Sequence, residues 1–294
     1  MESNIQVQES FNLFSSLDGD TQLGFSFLDT SPKSSITPPP PCVEVNHSEV
    51  SSSVKYTVEE VDFDGLTLLK GRVSTQEVLQ LTNSDLIPGK YEGGLKLWEG
   101  SLDLVRTLKK EVQDGKLSVK GKRVLELGCG HGLPGIFTCL EGASVVHFQD
   151  FNAEVLRCLT IPNVKANLDH HNRKKEVEAE IRYFAGDWGE VDQILLPYVN
   201  NNEDENGGYD VILMAETVYS ISTIPILYQL VKKCVSSPHG VVYVAAKKYY
   251  FGVGGGSRRF LSVVEKDGVM EASLISEVTD GSSNVREVWK LCLK

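Results

Sequence analysis

The sequence predicts an α/β protein built on a seven-stranded Rossmann-like sheet with an antiparallel last strand, preceded by a disordered N-terminal leader. Three observations support this. From residue 121 onward, runs rich in Val, Ile and Leu alternate with helical patterns, the rhythm of a mostly parallel sheet. The first run ends in a glycine-rich turn, Gly128-Cys-Gly-His-Gly132, at the entry to a helix. The last two runs are joined by the short polar stretch 279–284, which has no room for a crossover helix, so they pair antiparallel.

The elements follow in chain order. Residues 1–55 are rich in Ser, Pro and acids and read as a leader too polar to bury a core. Its apolar residues between Phe11 and Leu28 read either as unstructured or as a short docking segment. The domain then covers 56–294. Its preface, 56–120, shows apolar alternation at Tyr56-Thr-Val58, a helical pattern at 75–81, the segment Tyr91-Glu-Gly-Gly-Leu-Lys-Leu-Trp-Glu99, and a helix over 101–112 capped by Ser101. The core sheet, 121–294, places strands at 123–127, 144–149, 180–185, 210–215, 240–246, 272–278 and 285–291. Helices fall at 134–141, where Pro134 suits the first turn, and at 153–168, 188–196 and 223–236. The acidic loop 200–206 reads as solvated surface.

Composition narrows the function. No run of 18 or more apolar residues exists, so no membrane span is expected. The N-terminus has neither a basic nor an apolar signal region, and no Arg precedes Arg72, so no secretory signal or mitochondrial presequence is expected. Six cysteines without CxxC spacing suit reduced thiols and offer no zinc or other metal site. These features suit the cytoplasm and nucleus, with the nucleolus an open alternative; a monomer is expected. Of the net charge of −11, −7 lies in residues 1–60. Direct nucleic-acid binding is therefore disfavoured, and a basic protein partner favoured.

The chemistry gathers at strand ends. Val124-Leu-Glu-Leu-Gly-Cys-Gly-His-Gly-Leu-Pro-Gly135 reads as a buried strand entering a ligand-binding turn, with Gly128 and Gly130 admitting close backbone approach. Glu126, at the strand's end, is expected to face the crevice. Gly130-x-Gly132-x-x-Gly135 with Asp150 twenty residues on also matches a dinucleotide fingerprint. An acid ahead of the first glycine suits the cation of S-adenosyl-L-methionine better than a pyrophosphate, and that cofactor is the favoured reading. Cys129 is a small side chain in a tight turn or, less simply, a nucleophile.

The second strand ends in Gln149-Asp150-Phe151-Asn152; Asp150 is an acceptor for ribose hydroxyls or a helix cap. The third ends in Gly186-Asp187-Trp188, where Asp187 would take an adenine amino proton and Trp188 flank the purine, against a capping Asp and a core Trp. The fourth ends in Ala215-Glu216-Thr-Val-Tyr219. There Glu216 would orient or deprotonate an acceptor and Tyr219 line its channel, against a simple turn. Trp98 either lies over a sulfonium or packs in the core. The fifth strand runs into Lys247-Lys-Tyr-Tyr250-Phe251-Gly-Val-Gly254-Gly-Gly256, read as a mobile, close-approach substrate wall. Arg258 and Arg259 are expected in solvent.

These motifs resemble the eukaryotic protein-histidine N-methyltransferases of the seven-β-strand class. The likeness covers about residues 87–294. It is carried by Gly93–Glu99, Leu125–Gly130, Phe148–Asn152, Glu216–Tyr219 and, most discriminating against lysine methyltransferases, Tyr250–Gly256. The resemblance implies methyl transfer from S-adenosyl-L-methionine to a histidine, on the tele nitrogen, of a large-subunit ribosomal protein or ribosome precursor. It places cofactor contacts at Leu97, Trp98, Glu99, Gly100, Ser101, Gly128, Gln149, Asp150, Gly186, Asp187, Trp188 and Ala215. Glu216 is the catalytic candidate, with substrate contacts at Tyr219, Lys247, Tyr250, Phe251 and Gly254. A lysine methyltransferase of the same fold and a non-catalytic ribosomal-protein binder are the alternatives.

Overall fold

The computed structural model describes residues 39–51, 53–81, 85–171, 179–200, 207–279, 281 and 284–294. The apolar stretch of the leader and the acidic loop 201–206 lie outside them. The described strands are β1 (Val43–Val45), β2 (Thr57–Asp62), β3 (Thr67–Arg72), β4 (Arg123–Leu127), β5 (Val145–Asp150), β6 (Glu180–Ala185), β7 (Val211–Ala215), β8 (Val241–Lys247), β9 (Met270–Val278) and β10 (Arg286–Leu293). The helices are α1 (Thr75–Leu79), α2 (Glu99–Gln113), α3 (Leu133–Leu140), α4 (Ala153–Val155), α5 (Ile161–His171), α6 (Asp192–Leu195), α7 (Ile224–Cys234) and α8 (Ser257–Asp267).

The main sheet runs β1-β6-β5-β4-β7-β8-β10-β9. Strands β4 to β8 are mutually parallel, and β10 is antiparallel to both β8 and β9. The expected seven strands are all present. The order reverses at β4, so the loops leaving β4, β5, β6 and β7 open on one edge, where such sheets bind ligands. Strand parity divides the core. Val124, Leu213 and Tyr243 face α2, α3 and α5 on one side. Leu125, Leu127, Ile212, Met214, Val242 and Val244 face α7 and α8 on the other.

Four elements depart from the sequence expectation. β1 lies inside the stretch read as leader: Val43–Val45 pairs antiparallel with β6, and Glu44 holds Arg182 at 2.9 Å and the Tyr198 hydroxyl at 2.6 Å. Edge-strand hydrogen bonds and one ion pair order a segment whose composition is otherwise loop-like. α8 has no counterpart in the expectation, although Phe260, Leu261 and Val264 lie on one buried face and Gly268 stops it in the left-handed region. The expected helix 188–196 shrinks to α6 and a 3-10 turn, Leu196–Tyr198. α2 begins two residues before Ser101, whose buried hydroxyl finds no partner and caps nothing.

The preface folds as a β2–β3 hairpin held by one face of α5. Asn163, Asn167 and His171 recur every four residues, so their side chains stack along the helix. Asn163 Oδ1 accepts from Gly71 N at 2.6 Å and from the Tyr56 hydroxyl at 2.9 Å. Asn167 both accepts from Leu69 N and donates to Leu69 O, each at 2.7 Å. His171 Nε2 reaches Thr67 O at 2.8 Å. The side chains of a helix thus take the place of a neighbouring strand along β3. Between α4 and α5, Leu156–Thr160 winds as a π-turn, and Thr160 Oγ1 donates to Gly130 O at 2.6 Å. The same helix therefore grips both the preface and the glycine turn.

Replacing Asn167 by Ala leaves the part-buried N–H and C=O of Leu69 without this partner, and it should destabilise the fold by about 1–3 kcal/mol in urea unfolding. Amide exchange should accelerate first along β3; uniform acceleration over the whole sheet would show that the hairpin does not depend on this side chain.

Candidate active site

Gly128, Gly130 and Gly132 all have positive φ (60°, 49° and 71°), the close-approach geometry expected of the turn. A Cβ on Gly130 would stand 2.9 Å from Gly94 O, so the preface lies directly against the turn. The turn is held from β5. Asp150 Oδ2 accepts from Gly130 N at 3.0 Å, and Oδ1 accepts from Asn152 N at 3.1 Å. The helix-cap role is not borne out, because Asn152 is the N-cap of α4; Asp150 sits at the turn with acceptor capacity left on each oxygen. Burial pushes its carboxyl up to about 6, against the pull of its backbone donors.

Gln149 links three strand ends. Its Nε2 donates to Gly186 O at 2.9 Å, and its Oε1 accepts from Trp188 Nε1 at 2.9 Å and Gly128 N at 3.3 Å. The Trp188 ring is half-buried at the edge of Gly128. Asp187 Oδ1 accepts from Gly189 N at 2.8 Å, a turn-forming contact. Gly186 is packed by Cys42, ahead of β1, so closely that a Cβ there has no room. Thr217 Oγ1, beside Gly128, is buried without a partner.

The second half of the site centres on Glu216. Its backbone is left-handed (φ 59°), a conformation that a non-glycine residue holds only where its surroundings enforce it. Glu216 N donates to Ala245 O at 2.8 Å; Oε1 accepts from Gly100 N at 3.1 Å, and Oε2 accepts from the Tyr250 hydroxyl. The carboxylate therefore caps α2, the role expected of Ser101. A Cβ at Gly100 would meet Glu216 Oε1 at 2.7 Å. Burial raises the Glu216 carboxyl above the usual carboxylate range. Tyr250 stands edge-to-face with Tyr219, ring centroids 6.5 Å apart, and the Tyr219 hydroxyl donates to Glu92. The 250–256 segment is bolted to this wall: Gly255 N donates to Tyr219 O at 2.9 Å and Gly256 N to Val218 O at 2.8 Å. At Gly255 a side chain would collide with the Tyr219 backbone. Close approach, not a free hinge, explains these glycines.

The other expected site residues divide between buried positions, partnered ones and the exposed rim. Glu126 does not face the crevice. It shares Val124's side of the pleated strand, is 2% exposed beneath α3, and accepts from Gly135 N at 2.7 Å. Burial pushes its carboxyl up to about 8, so near pH 7 it is mostly uncharged and gives a sulfonium no anionic neighbour. Trp98 donates Nε1 to Gly93 O at 3.0 Å, and Lys96 Nζ lies 4.5 Å from its ring centroid, so an ammonium already occupies one approach to the ring. Leu97 packs into the core cluster, and Ser101 is buried. Glu99 pairs with Lys247 at 3.9 Å across the mouth. Ala215 ends β7 half-buried, Phe151 is half-buried after β5, and Gly254 bridges to Ser220. Phe251 is 77% exposed on the rim. Arg258, expected in solvent, meets buried Glu287 at 2.5 Å. Glu92, Gly94 and Thr217 were not singled out by the sequence, although each lies in a noted motif, Glu92 and Gly94 in 91–99 and Thr217 in 215–219.

A family profile described as lysine methyltransferase matches residues 76–267. The chain is 44% identical over 214 residues to a histidine protein methyltransferase 1 homolog of Dictyostelium discoideum, covering 73% of this chain and 62% of that one. It is 40% identical over 216 residues to the Mus musculus homolog of the same name, covering 68% and 57%. EEF1A lysine methyltransferase 3 of Mus musculus is 30% identical over 152 residues, covering 52% and 55%. The match thus spans about three fifths of the histidine-methyltransferase relatives' length.

Glu126 gives the site a pH signature. Its carboxyl, at about 8 in the fold against 4.5 when free, binds its proton more tightly folded than unfolded. Its contribution to stability therefore falls as pH rises between those values and stays low above them. Glu126→Gln, which keeps an acceptor for Gly135 N–H, should melt above the wild type at alkaline pH, with the gap closing toward about pH 5. A pH-independent gap would contradict the protonated assignment.

Proposed function

The chain belongs to the lysine-methyltransferase family, and from its likeness to histidine protein methyltransferases we propose that it transfers a methyl group from S-adenosyl-L-methionine to a histidine ring nitrogen of a protein. The residues at the sheet edge suit this cofactor. Asp150 keeps acceptor capacity for ribose hydroxyls, Trp188 offers a ring edge beside Gly128, and the buried hydroxyls of Thr217 and Ser101 lack partners in the fold. Bound there, the cofactor supplies a methyl group activated on a sulfonium.

The reading rests on the state of Glu216. Both its oxygens already hold donors, from Gly100 and Tyr250, and it is 7% exposed. It builds a wall rather than stripping protons. A lysine ammonium must lose a proton before it can attack, whereas an imidazole, with a free pKa of about 6.5, is mostly neutral at pH 7. For such a nucleophile, alignment at near-attack distance is the main requirement, and a rigid wall of acceptors supplies it. Tyr250 and Tyr219 have committed their protons to carboxylates, so each presents lone pairs to a ring N–H. The proposed substrate is a basic protein of the large ribosomal subunit or its precursor, methylated on the tele nitrogen. The net charge of −11 favours a basic partner, and the choice of ribosomal protein and ring nitrogen rests on the motif resemblance alone.

Labelled methyl transfer followed by acid hydrolysis tests the proposal: methylhistidine is expected, and methyllysine as the sole product would refute it. Glu216→Gln should lower turnover by about tenfold or more through misalignment of the wall, with cofactor affinity nearly intact. Asp150→Ala should weaken S-adenosyl-L-methionine binding by about tenfold or more in titration calorimetry. The wild-type affinity should also fall as pH drops through about 6, where Asp150 takes up a proton.

A further inference from the structure

Glu92 is the acid in the site that the sequence did not assign. It follows Tyr91, packs half-buried against the end of β5, and is anchored at three points. Its backbone N donates to Asn152 Oδ1 at 3.3 Å, its Oε1 accepts from Gly89 N at 2.7 Å, and its Oε2 accepts from the Tyr219 hydroxyl. Tyr219 is anchored in turn through its carbonyl to Gly255 N at 2.9 Å, and its ring meets Tyr250 edge-on. The rim thus holds two tyrosine–glutamate pairs side by side, Tyr250–Glu216 and Tyr219–Glu92.

The two pairs are not equivalent. Glu216 is 7% exposed, and each of its oxygens is engaged by a different element, so a proton placed on it has no way out to water. Glu92 is half-buried, on the preface side of the rim, where solvent reaches it. Burial raises the Tyr219 hydroxyl's pKa, and the Glu92 charge raises it further, so the phenol keeps a proton and passes one on only while receiving another.

Resting on the histidine-methyltransferase reading, we propose that Tyr219 and Glu92 form the proton exit of the reaction, with Tyr219 accepting the ring N–H and Glu92 acting through it as a positioning residue and final acceptor. Methylation of one imidazole nitrogen leaves a cationic ring that still carries a proton on the other nitrogen. That ring N–H bond breaks as a new O–H bond forms on Tyr219. The original Tyr219 O–H bond breaks as an O–H bond forms on Glu92 Oε2. The positive ring and the negative carboxylate both become neutral, and Glu92 then releases its proton to water. Before transfer, the same pair fixes the tautomer, because a Tyr219 oxygen whose proton points at Glu92 can only accept.

The test uses the full chain and a histidine-containing substrate peptide, with Glu92→Gln, Tyr219→Phe and the double variant. Glu92→Gln keeps one acceptor oxygen, for Gly89 N–H, and turns its NH2 toward the Tyr219 hydroxyl, so it cannot take the proton. Its kcat should fall about a hundredfold, the low end for lost proton transfer, while peptide KM, S-adenosyl-L-methionine Kd and melting temperature stay near wild type. Tyr219→Phe should lose a similar factor, and the double variant no more than either alone, because both act on one proton. Wild-type kcat in Glu92→Gln would overturn the proposal. So would losses that appear in cofactor Kd or melting temperature, or that multiply in the double variant. Wild-type enzyme that methylates lysine and not histidine would instead overturn the reading on which the relay rests.

Discussion

A carboxylate withdrawn from water must be met by hydrogen-bond donors, and in this fold that requirement organises the ligand edge of the sheet. Three strands end in or near a buried acid. Glu126 near the end of β4 takes Gly135 N–H, Asp150 at the end of β5 takes Gly130 and Asn152 N–H, and Glu216 after β7 takes Gly100 N–H and the Tyr250 hydroxyl. Each acid thereby ties down a loop or the first turn of a helix. The parallel pairing of β5, β4 and β7 brings their ends to one edge, so the segments held by Asp150 and Glu216 converge on one crevice, while Glu126 lies two to three residues deeper, beneath α3.

The same requirement gives each acid a different chemical character. Glu126, sealed beneath α3, is pushed up to about 8 and serves as an uncharged strut. Asp150, pushed only to about 6, remains an anion at neutral pH with acceptor capacity toward a ligand. Glu216 is raised by burial and steadied by its donors, and it links the start of α2 to the loop after β8. Glu92, less buried than these three, is the acid with access to water. Burial grades four chemically similar side chains into strut, ligand acceptor, wall and exit.

Legibility from sequence varied with the range of the interaction involved. The strands β4 to β10 were readable because apolar periodicity and short polar joints are local signals. The glycine turn and Asp150 were readable for the same reason. Glu126 was misplaced although its parity with Val124 was available in the sequence: alternate residues share a face, and that face carries α3. α8 was likewise available in the spacing of Phe260, Leu261 and Val264 before Gly268. By contrast, nothing local connects Glu216 with Gly100, 116 residues apart, or Tyr219 with Glu92, 127 apart. The Asn163–Asn167–His171 ladder against β3 is of that kind too, since polar residues on a helix normally face water.

By itself the sequence determined the fold class, the positions of the core strands along the chain and the edge at which polar loops gather, because hydrophobic periodicity and turn glycines act over a few residues. The tertiary structure alone decided which acid faces which donor, how deeply each is buried, and hence which is charged. Those properties depend on contacts between separate elements, some more than a hundred residues apart, and on a dielectric environment that exists only once the layers have packed.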